Sequence, residues 1–152
     1  MPRPLRAAIS ASALAHNLRV AQRNAADAKV WAVVKANAYG HGLLRAAKAF
    51  EAADGYAVLD FVEALALRSA GVAKPILMLE GFFSREDLPL LARHQLTPVV
   101  LTSALPNELQ DLFPNPFLCD DRGRHADAFP RGRLAHCAGG AILAFAFVSL
   151  ET

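Results

Sequence analysis

Short apolar runs alternate with helix-like stretches between residues 30 and 100, and this alternation constrains the fold more than any other feature of the chain. Each run is apolar and bounded by turn residues, which is typical of buried strands. The runs begin near Val30, Tyr56, Ile76 and Gln95. An alternation of this kind predicts parallel βα units joined by right-handed crossovers, and therefore an α/β fold. It fits either a doubly wound sheet or part of a βα barrel.

The stretches around these runs have the apolar spacing of amphipathic helices. Helices are predicted from about residue 12 to 24, with Ser10 or Ser12 as the N-cap, and then over 43–52, 61–70 and 84–94. Gly71 is placed to end the third of these helices as its C′ residue. Residues 5–9 are mildly β-like and are a candidate edge strand.

Composition indicates a globular chain with a core of its own. The 152 residues are 54% hydrophobic and 20% charged, with a net charge of +2. Because Lys and Arg are scattered, neither a nucleic acid nor a membrane is expected as a partner. Cys119 and Cys137 form no metal-binding spacing, so no metal is expected, and reduced thiols in the cytoplasm are the simpler interpretation. The N-terminus is not expected to be a signal peptide, and the apolar stretch 138–150 is too short to span a bilayer.

Lys35 directly follows the first buried run, and a short loop rich in Gly and Asn comes next. In βα barrels, the carboxyl ends of the strands form the functional face. A lysine fixed at that mouth is partly desolvated, which favours the neutral amine that can make a Schiff base. The residues alone favour the simpler interpretation, a solvated lysine just past a strand. Gly40-His41-Gly42 lacks the third glycine of a dinucleotide-binding loop, which disfavours such a site.

Residues 33–42, with the sequence VVKANAYGHG, resemble the pyridoxal-phosphate lysine signature of alanine racemases. Further stretches are similar to the same family in the same order, at residues 12–18, 53–58, 63–68 and 75–83. The resemblance covers about residues 5–100. Residues 101–152 show no clear βα unit, although 105–112 could form a short helix, and we interpret them as a tail outside the family with no assigned domain.

The resemblance implies that residues 1–100 form about the first four βα units of a (β/α)8 TIM-type barrel. It implies pyridoxal 5′-phosphate as the cofactor and Lys35 as the Schiff-base lysine, which also acts as one of two proton-transfer bases. Tyr39 would lie beside the cofactor, near its phosphate. The implied reaction interconverts L-alanine and D-alanine in the cytoplasm and supplies D-alanine for peptidoglycan. Members of the family work as homodimers, in which a tyrosine of the partner's later domain is the second base.

The chain also departs from the family pattern. Tyr39 and Tyr56 are its two tyrosines, so the second base is missing. The arginine that contacts the pyridine nitrogen and the later phosphate-binding loop are missing as well. We therefore expect a shortened racemase chain with no activity by itself. The alternatives are a non-catalytic fragment of the barrel, which binds pyridoxal phosphate or aggregates, and a single-domain pyridoxal-phosphate carrier.

Two other polar residues near the predicted mouth have competing interpretations. His41 is more readily a residue that caps or positions its loop than an acid or base. Glu80 follows an apolar strand and could face the barrel mouth, but a solvated carboxylate is the simpler interpretation.

Overall fold

The structure is a computed structural model that describes residues 7–25, 28–100, 117–118 and 142–145. Within these residues the chain forms a parallel sheet whose strands are β1 (Val30–Val33), β2 (Gly55–Val58), β3 (Ile76–Met78), β4 (Leu96–Val100), β5 (Phe117–Leu118) and β6 (Ile142–Phe145). The strand order is β5-β4-β3-β2-β1-β6, and every neighbouring pair is parallel. The four predicted strands are confirmed.

The helices described are α1 (Ala11–Asn24), α2 (Lys35–Tyr39), α3 (Leu43–Ala49), α4 (Phe61–Ser69) and α5 (Leu88–Arg93), and a 3-10 turn at Arg85–Asp87 precedes α5. The predicted helices are confirmed, although the second is shorter than expected because it ends at Ala49. The prediction of an edge strand is wrong for Ala7, Ala8 and Ile9, which form no strand.

Local side-chain chemistry accounts for where the helices begin and end. The Ser10 hydroxyl accepts the Ala13 N–H at 3.2 Å at the start of α1, and the Asp60 carboxylate accepts the Glu63 N–H at 2.8 Å at the start of α4. Gly71, with φ of +85°, ends α4 as predicted. The Val72 N–H then donates to the Leu67 carbonyl at 3.1 Å, which closes a Schellman motif.

The two faces of the sheet are packed differently, and this difference decides the architecture. One face forms a large core with residues of α1, α3, α4 and α5, among them Leu18, Ala46 and Leu67. The other face carries a smaller cluster of strand side chains: Val33, Ala57 and Leu77, with Trp31, Leu79 and Val99 against it. Because the described helices share one face, the arrangement is that of a partial (β/α)8 barrel and not of a doubly wound sheet.

Two short strands come from the segment interpreted as a tail. β5 pairs with β4, and β6 pairs with β1 in the register Val30↔Ile142 to Val33↔Phe145. Neither strand was predicted. The predicted helix at 105–112 lies outside the described residues, and the division of the chain at residue 100 stays a prediction.

Candidate active site

Lys35 lies at the carboxyl end of β1, where the chain leaves the sheet. Immediately before it, the Val34 N–H donates to the Ala57 carbonyl at 2.9 Å and ties the end of β1 to β2. Val34 is fully buried, whereas Lys35 is partly exposed. The amine is therefore attached to a rigid part of the backbone and lies at the edge of the sheet that forms the mouth of a βα barrel.

The residues after Lys35 form a turn of left-handed helix. Ala36, Asn37, Ala38 and Tyr39 have φ values of 52–54°, and Gly40 continues at +88°. A left-handed conformation costs an L-residue other than glycine about 1–2 kcal/mol, and successive residues of this kind are rare. Strained backbone of this kind persists where its surroundings hold it, and it clusters at functional sites. We refer to residues 35–42 as the lysine turn.

Asn37 is the residue through which the lysine turn is held from two sides. Its backbone N–H donates to Oε1 of Glu63, on α4, at 2.7 Å. Its side-chain Oδ1 accepts the Leu43 N–H at 2.8 Å and so caps the start of α3. Its carbonyl accepts the Gly42 N–H at 3.0 Å. Asn tolerates left-handed φ better than most residues, which suits it to this position.

His41 holds the turn from the buried side. Only 5% of its surface is exposed, and its Nδ1 lies 2.6 Å from the Ala38 carbonyl oxygen. Because a carbonyl oxygen only accepts, Nδ1 carries the proton and donates it. His41 Nε2 is buried and has no hydrogen-bond partner among the described residues. This geometry supports the interpretation of His41 as a residue that positions the loop.

The two tyrosines differ in what their side chains can reach. Tyr39 lies on the lysine turn and is 42% exposed. Tyr56 is buried on the helix-covered face, where its hydroxyl donates to the Ala47 carbonyl at 2.7 Å. Burial, together with the negative charge of Glu51, raises the pKa of the Tyr56 phenol above its ordinary value. Tyr56 is therefore a structural tyrosine, and Tyr39 is the one that accompanies Lys35.

Other candidate residues do not join this site. Glu80 is exposed, as expected for a solvated carboxylate. A cavity of about 520 Å³ lies on α1, lined by His16, Arg19, Gln22 and Arg23. Gln22 donates to the Ala52 carbonyl, in the segment that leads into β2, so this cavity lies at the opposite edge of the sheet from Lys35. No group of three or more potential metal-ligating side chains occurs within the part of the chain that the structure describes.

Sequence reasoning missed the role of Glu63. Its position in an amphipathic helix gave no signal that its carboxylate contacts a loop 26 residues earlier in the chain. The left-handed turn was missed too, and the presence of Asn37 was the only available signal, since the alanines on either side do not favour this conformation. No helix among the described residues is long and apolar enough to cross a membrane.

Comparison with known proteins is consistent with this geometry. Residues 9–114 match the family model described as alanine racemase, N-terminal domain. Alanine racemases of Ralstonia nicotianae and Paraburkholderia phytofirmans are 54% and 57% identical over 100 and 97 residues, which are 66% and 64% of this chain. Each match covers 27% of the relative, so the chain spans about a quarter of the length of these curated relatives.

Solved structures give the same result. The alanine racemase from Acinetobacter baumannii superimposes with a TM-score of 0.64 at 30% identity, over 74% of this chain and 34% of that one. The biosynthetic alanine racemase from Pseudomonas aeruginosa does so with a TM-score of 0.58 at 34% identity, over 72% of this chain and 31% of that one. The chain belongs to the alanine racemase family, an isomerase family, and corresponds to the N-terminal part of its members.

Proposed function

We propose that this chain is the lysine-bearing part of a pyridoxal-phosphate-dependent alanine racemase, with Lys35 as the residue that holds the cofactor covalently. The observation that carries the proposal is the lysine turn: an amine at the carboxyl end of β1, followed by four left-handed residues that Glu63 and His41 hold in place. The relatives are named alanine racemases, which supports alanine as the substrate.

The donor set fits pyridoxal phosphate at its reactive end. Lys35 Nζ makes no hydrogen bond or ion pair within the described residues, so the amine is available to condense with an aldehyde. When bound, the cofactor delocalises the electron pair that remains as the α-proton leaves. Lys35 Nζ then gives or takes that proton on one face of the substrate. Tyr39 lies four residues further along the same turn, which supports its assignment beside the cofactor.

Racemisation requires a second base on the opposite face of the substrate. The sequence holds two tyrosines, and the Tyr56 hydroxyl is buried and already donates to Ala47. Tyr39 lies on the same turn as Lys35 and is assigned beside the cofactor, so a tyrosine base for the opposite face would come from outside these 152 residues. We accordingly assign cofactor anchoring to this chain and place the full reaction in a homodimer of longer chains, where it would supply D-alanine for peptidoglycan in the cytoplasm.

A second candidate function is binding of pyridoxal phosphate without catalysis. It is favoured by the Tyr56 hydroxyl, which is buried and donates to the Ala47 carbonyl, so that it offers no second base. The matched part of the chain includes the lysine turn. Attachment of the cofactor and racemisation of alanine can therefore be measured independently.

Reductive trapping tests the anchoring lysine. The chain is incubated with pyridoxal phosphate and reduced with borohydride, and the modified peptide is identified by mass spectrometry. We expect one label for each chain, at Lys35. Lys35→Ala should lose the label with an unchanged melting temperature, whereas Lys48→Ala, at an exposed lysine of α3, should keep it. Equal labelling of Lys35 and the surface lysines would overturn the proposal.

An assay for conversion of L-alanine to D-alanine, on the chain that reductive trapping shows to bind pyridoxal phosphate, tests for racemisation separately. Trapping without conversion, which we expect for the chain by itself, is compatible with both. Conversion by the chain alone would overturn the non-catalytic alternative. Adding a longer racemase subunit that lacks its own cofactor lysine should restore conversion if this chain supplies the lysine to a shared site, and failure to restore it would favour the non-catalytic alternative.

A further inference from the structure

We infer that Glu63 is a positioning residue for Lys35: its carboxylate holds the lysine turn in its left-handed form and thereby sets where the amine lies. The inference rests on the proposed function of Lys35 and extends it to a residue on a different βα unit. Glu63 lies in the first turn of α4, and its side chain reaches across to the loop that follows β1.

The contact satisfies a donor that the strained backbone would otherwise leave unpaired. The next residue, Ala38, donates its N–H to the Val34 carbonyl at 2.8 Å, at the end of β1. The Asn37 N–H instead donates outward, to Glu63 Oε1 at 2.7 Å. Hydrogen bonds to ionised carboxylates are shorter and stronger than neutral ones. Glu63 therefore supplies a strong acceptor at the second residue after Lys35.

The backbone of Glu63 is itself fixed. Its N–H donates to the Asp60 carboxylate at 2.8 Å, which anchors the start of α4. Asp60 thereby supports Glu63 and is not an independent control. Glu86, an exposed glutamate in the 3-10 turn before α5, is a matched control, because its replacement removes an acidic residue at the start of a helix and no hydrogen bond to Glu63 or to Asn37.

The second carboxylate oxygen of Glu63 shows that the side chain does not point into solvent. Oε2 of Glu63 is buried and has no hydrogen-bond partner among the described residues. An acidic residue in the first turn of a helix is usually satisfied by water and the helix dipole. Glu63 instead keeps one oxygen unpaired while the other binds Asn37, as expected for a side chain whose main contact is with the turn.

The rate at which the cofactor-free chain reacts with pyridoxal phosphate measures this role. Glu63→Ala should slow trapping of Lys35 by about tenfold, because a loosened turn misplaces the amine. Glu63→Gln keeps an oxygen that can accept the Asn37 N–H, and it should restore the rate to within about threefold of the wild type. Glu86→Ala should leave the rate unchanged.

Amide hydrogen exchange at Asn37, measured without cofactor, gives a readout independent of the chemistry. We expect protection in the wild type, in Glu63→Gln and in Glu86→Ala, and loss of protection in Glu63→Ala. Should Glu63→Ala not fold, Glu63→Met removes the acceptor at similar volume and takes its place.

The outcomes separate the two proposals. A wild-type chain that is never labelled at Lys35 overturns the proposed function, while Asn37 exchange still shows whether Glu63 holds the turn. Equal slowing by Glu63→Ala and Glu86→Ala would overturn the inference, because the loss would then follow the removal of any acidic residue at the start of a helix. Unchanged trapping and unchanged Asn37 exchange in Glu63→Ala would overturn it as well.

Discussion

The two edges of the sheet are built by different means. At the carboxyl edge, the lysine turn places four non-glycine residues in left-handed conformations. This edge also exposes large apolar side chains in the segments that follow β1, β2 and β3: Tyr39, Leu44, Val62 and Phe83. At the amino edge, the cationic side chains of Arg68 and Lys74 donate hydrogen bonds to backbone carbonyls and thereby link neighbouring loops. Among the described residues, four of the non-glycine residues with left-handed φ lie in the lysine turn, whereas the amino edge has one, Gln95.

Arg68 makes most of the hydrogen bonds described at the amino edge. Its guanidinium donates to the Val72 and Lys74 carbonyls at 2.7 Å each, and to the His94 and Gln95 carbonyls at 2.9 Å each. It thereby joins the loop before β3 to the loop before β4. Burial lowers the pKa of Arg68 from its ordinary value. The Lys74 ammonium likewise donates to the carbonyls of Glu51 and Ala53, in the loop before β2.

This contrast explains how a barrel can hold a strained site. In βα barrels, residues at the carboxyl ends of the strands perform the chemistry, and those at the amino ends provide stability. The stabilising contacts at the amino edge do not involve Lys35 or its turn. Each edge can therefore be changed with little effect on the other, and the substitutions below test that independence.

Arg68→Ala should produce the largest loss of stability. It removes charge-assisted hydrogen bonds to four carbonyls, and we expect the free energy of unfolding to fall by about 2–4 kcal/mol. Urea denaturation measures the change. Arg93→Ala, at an exposed arginine of α5, should change stability by less than about 0.5 kcal/mol. The rate of Lys35 trapping by the folded fraction of Arg68→Ala should stay at the wild-type value, and a large fall would show that the edges are coupled.

Tyr56→Phe should lower the free energy of unfolding by about 1–2 kcal/mol at neutral pH, because it leaves the buried Ala47 carbonyl without its donor. The pKa of Tyr56 is raised in the folded chain, so the unfolded chain releases the phenolic proton first. Stability from this group is thus fully present below the unfolded value, about pH 10, and is lost as the pH rises through the higher folded value. Denaturation curves between pH 8 and 11 should show this decline in the wild type and a weaker one in Tyr56→Phe. Equal declines would contradict it.

Most of the fold could be predicted from the sequence because local signals agree with it. The apolar runs, the N-cap at Ser10 and the C′ glycine at Gly71 each act within a few residues of where they stand. The choice between a doubly wound sheet and a barrel could not be made from periodicity, since both contain the same βα units. That choice depends on which face of the sheet the helices share, which is a tertiary property.

The candidate site was only partly predictable for the same reason. Lys35 and Tyr39 were found because the motif that carries them is continuous in sequence. Glu63 contacts the turn across 26 residues, and the sequence has no periodic signal for a contact between a helix and a preceding loop. The pairing of β6 with β1 is likewise long-range, and the apolar stretch 138–150 that contains β6 gave no indication of its partner.

Two glycine substitutions compare the edges most directly and have the smallest effects. Ala36 in the lysine turn and Gln95 before β4 are both exposed, with φ values of 52° and 50°. Glycine adopts such values without a steric penalty, so Ala36→Gly and Gln95→Gly should each raise the free energy of unfolding by about 0.5–1 kcal/mol. Neither variant should slow the chemistry. Because glycine adopts a left-handed φ more readily than alanine does, Ala36→Gly should keep the turn in its left-handed form and leave the rate of Lys35 trapping within about twofold of the wild type, as should Gln95→Gly. A severalfold fall in trapping in Ala36→Gly alone would mean that the alanine at this position, and not the contacts with Glu63 and His41, fixes the lysine turn.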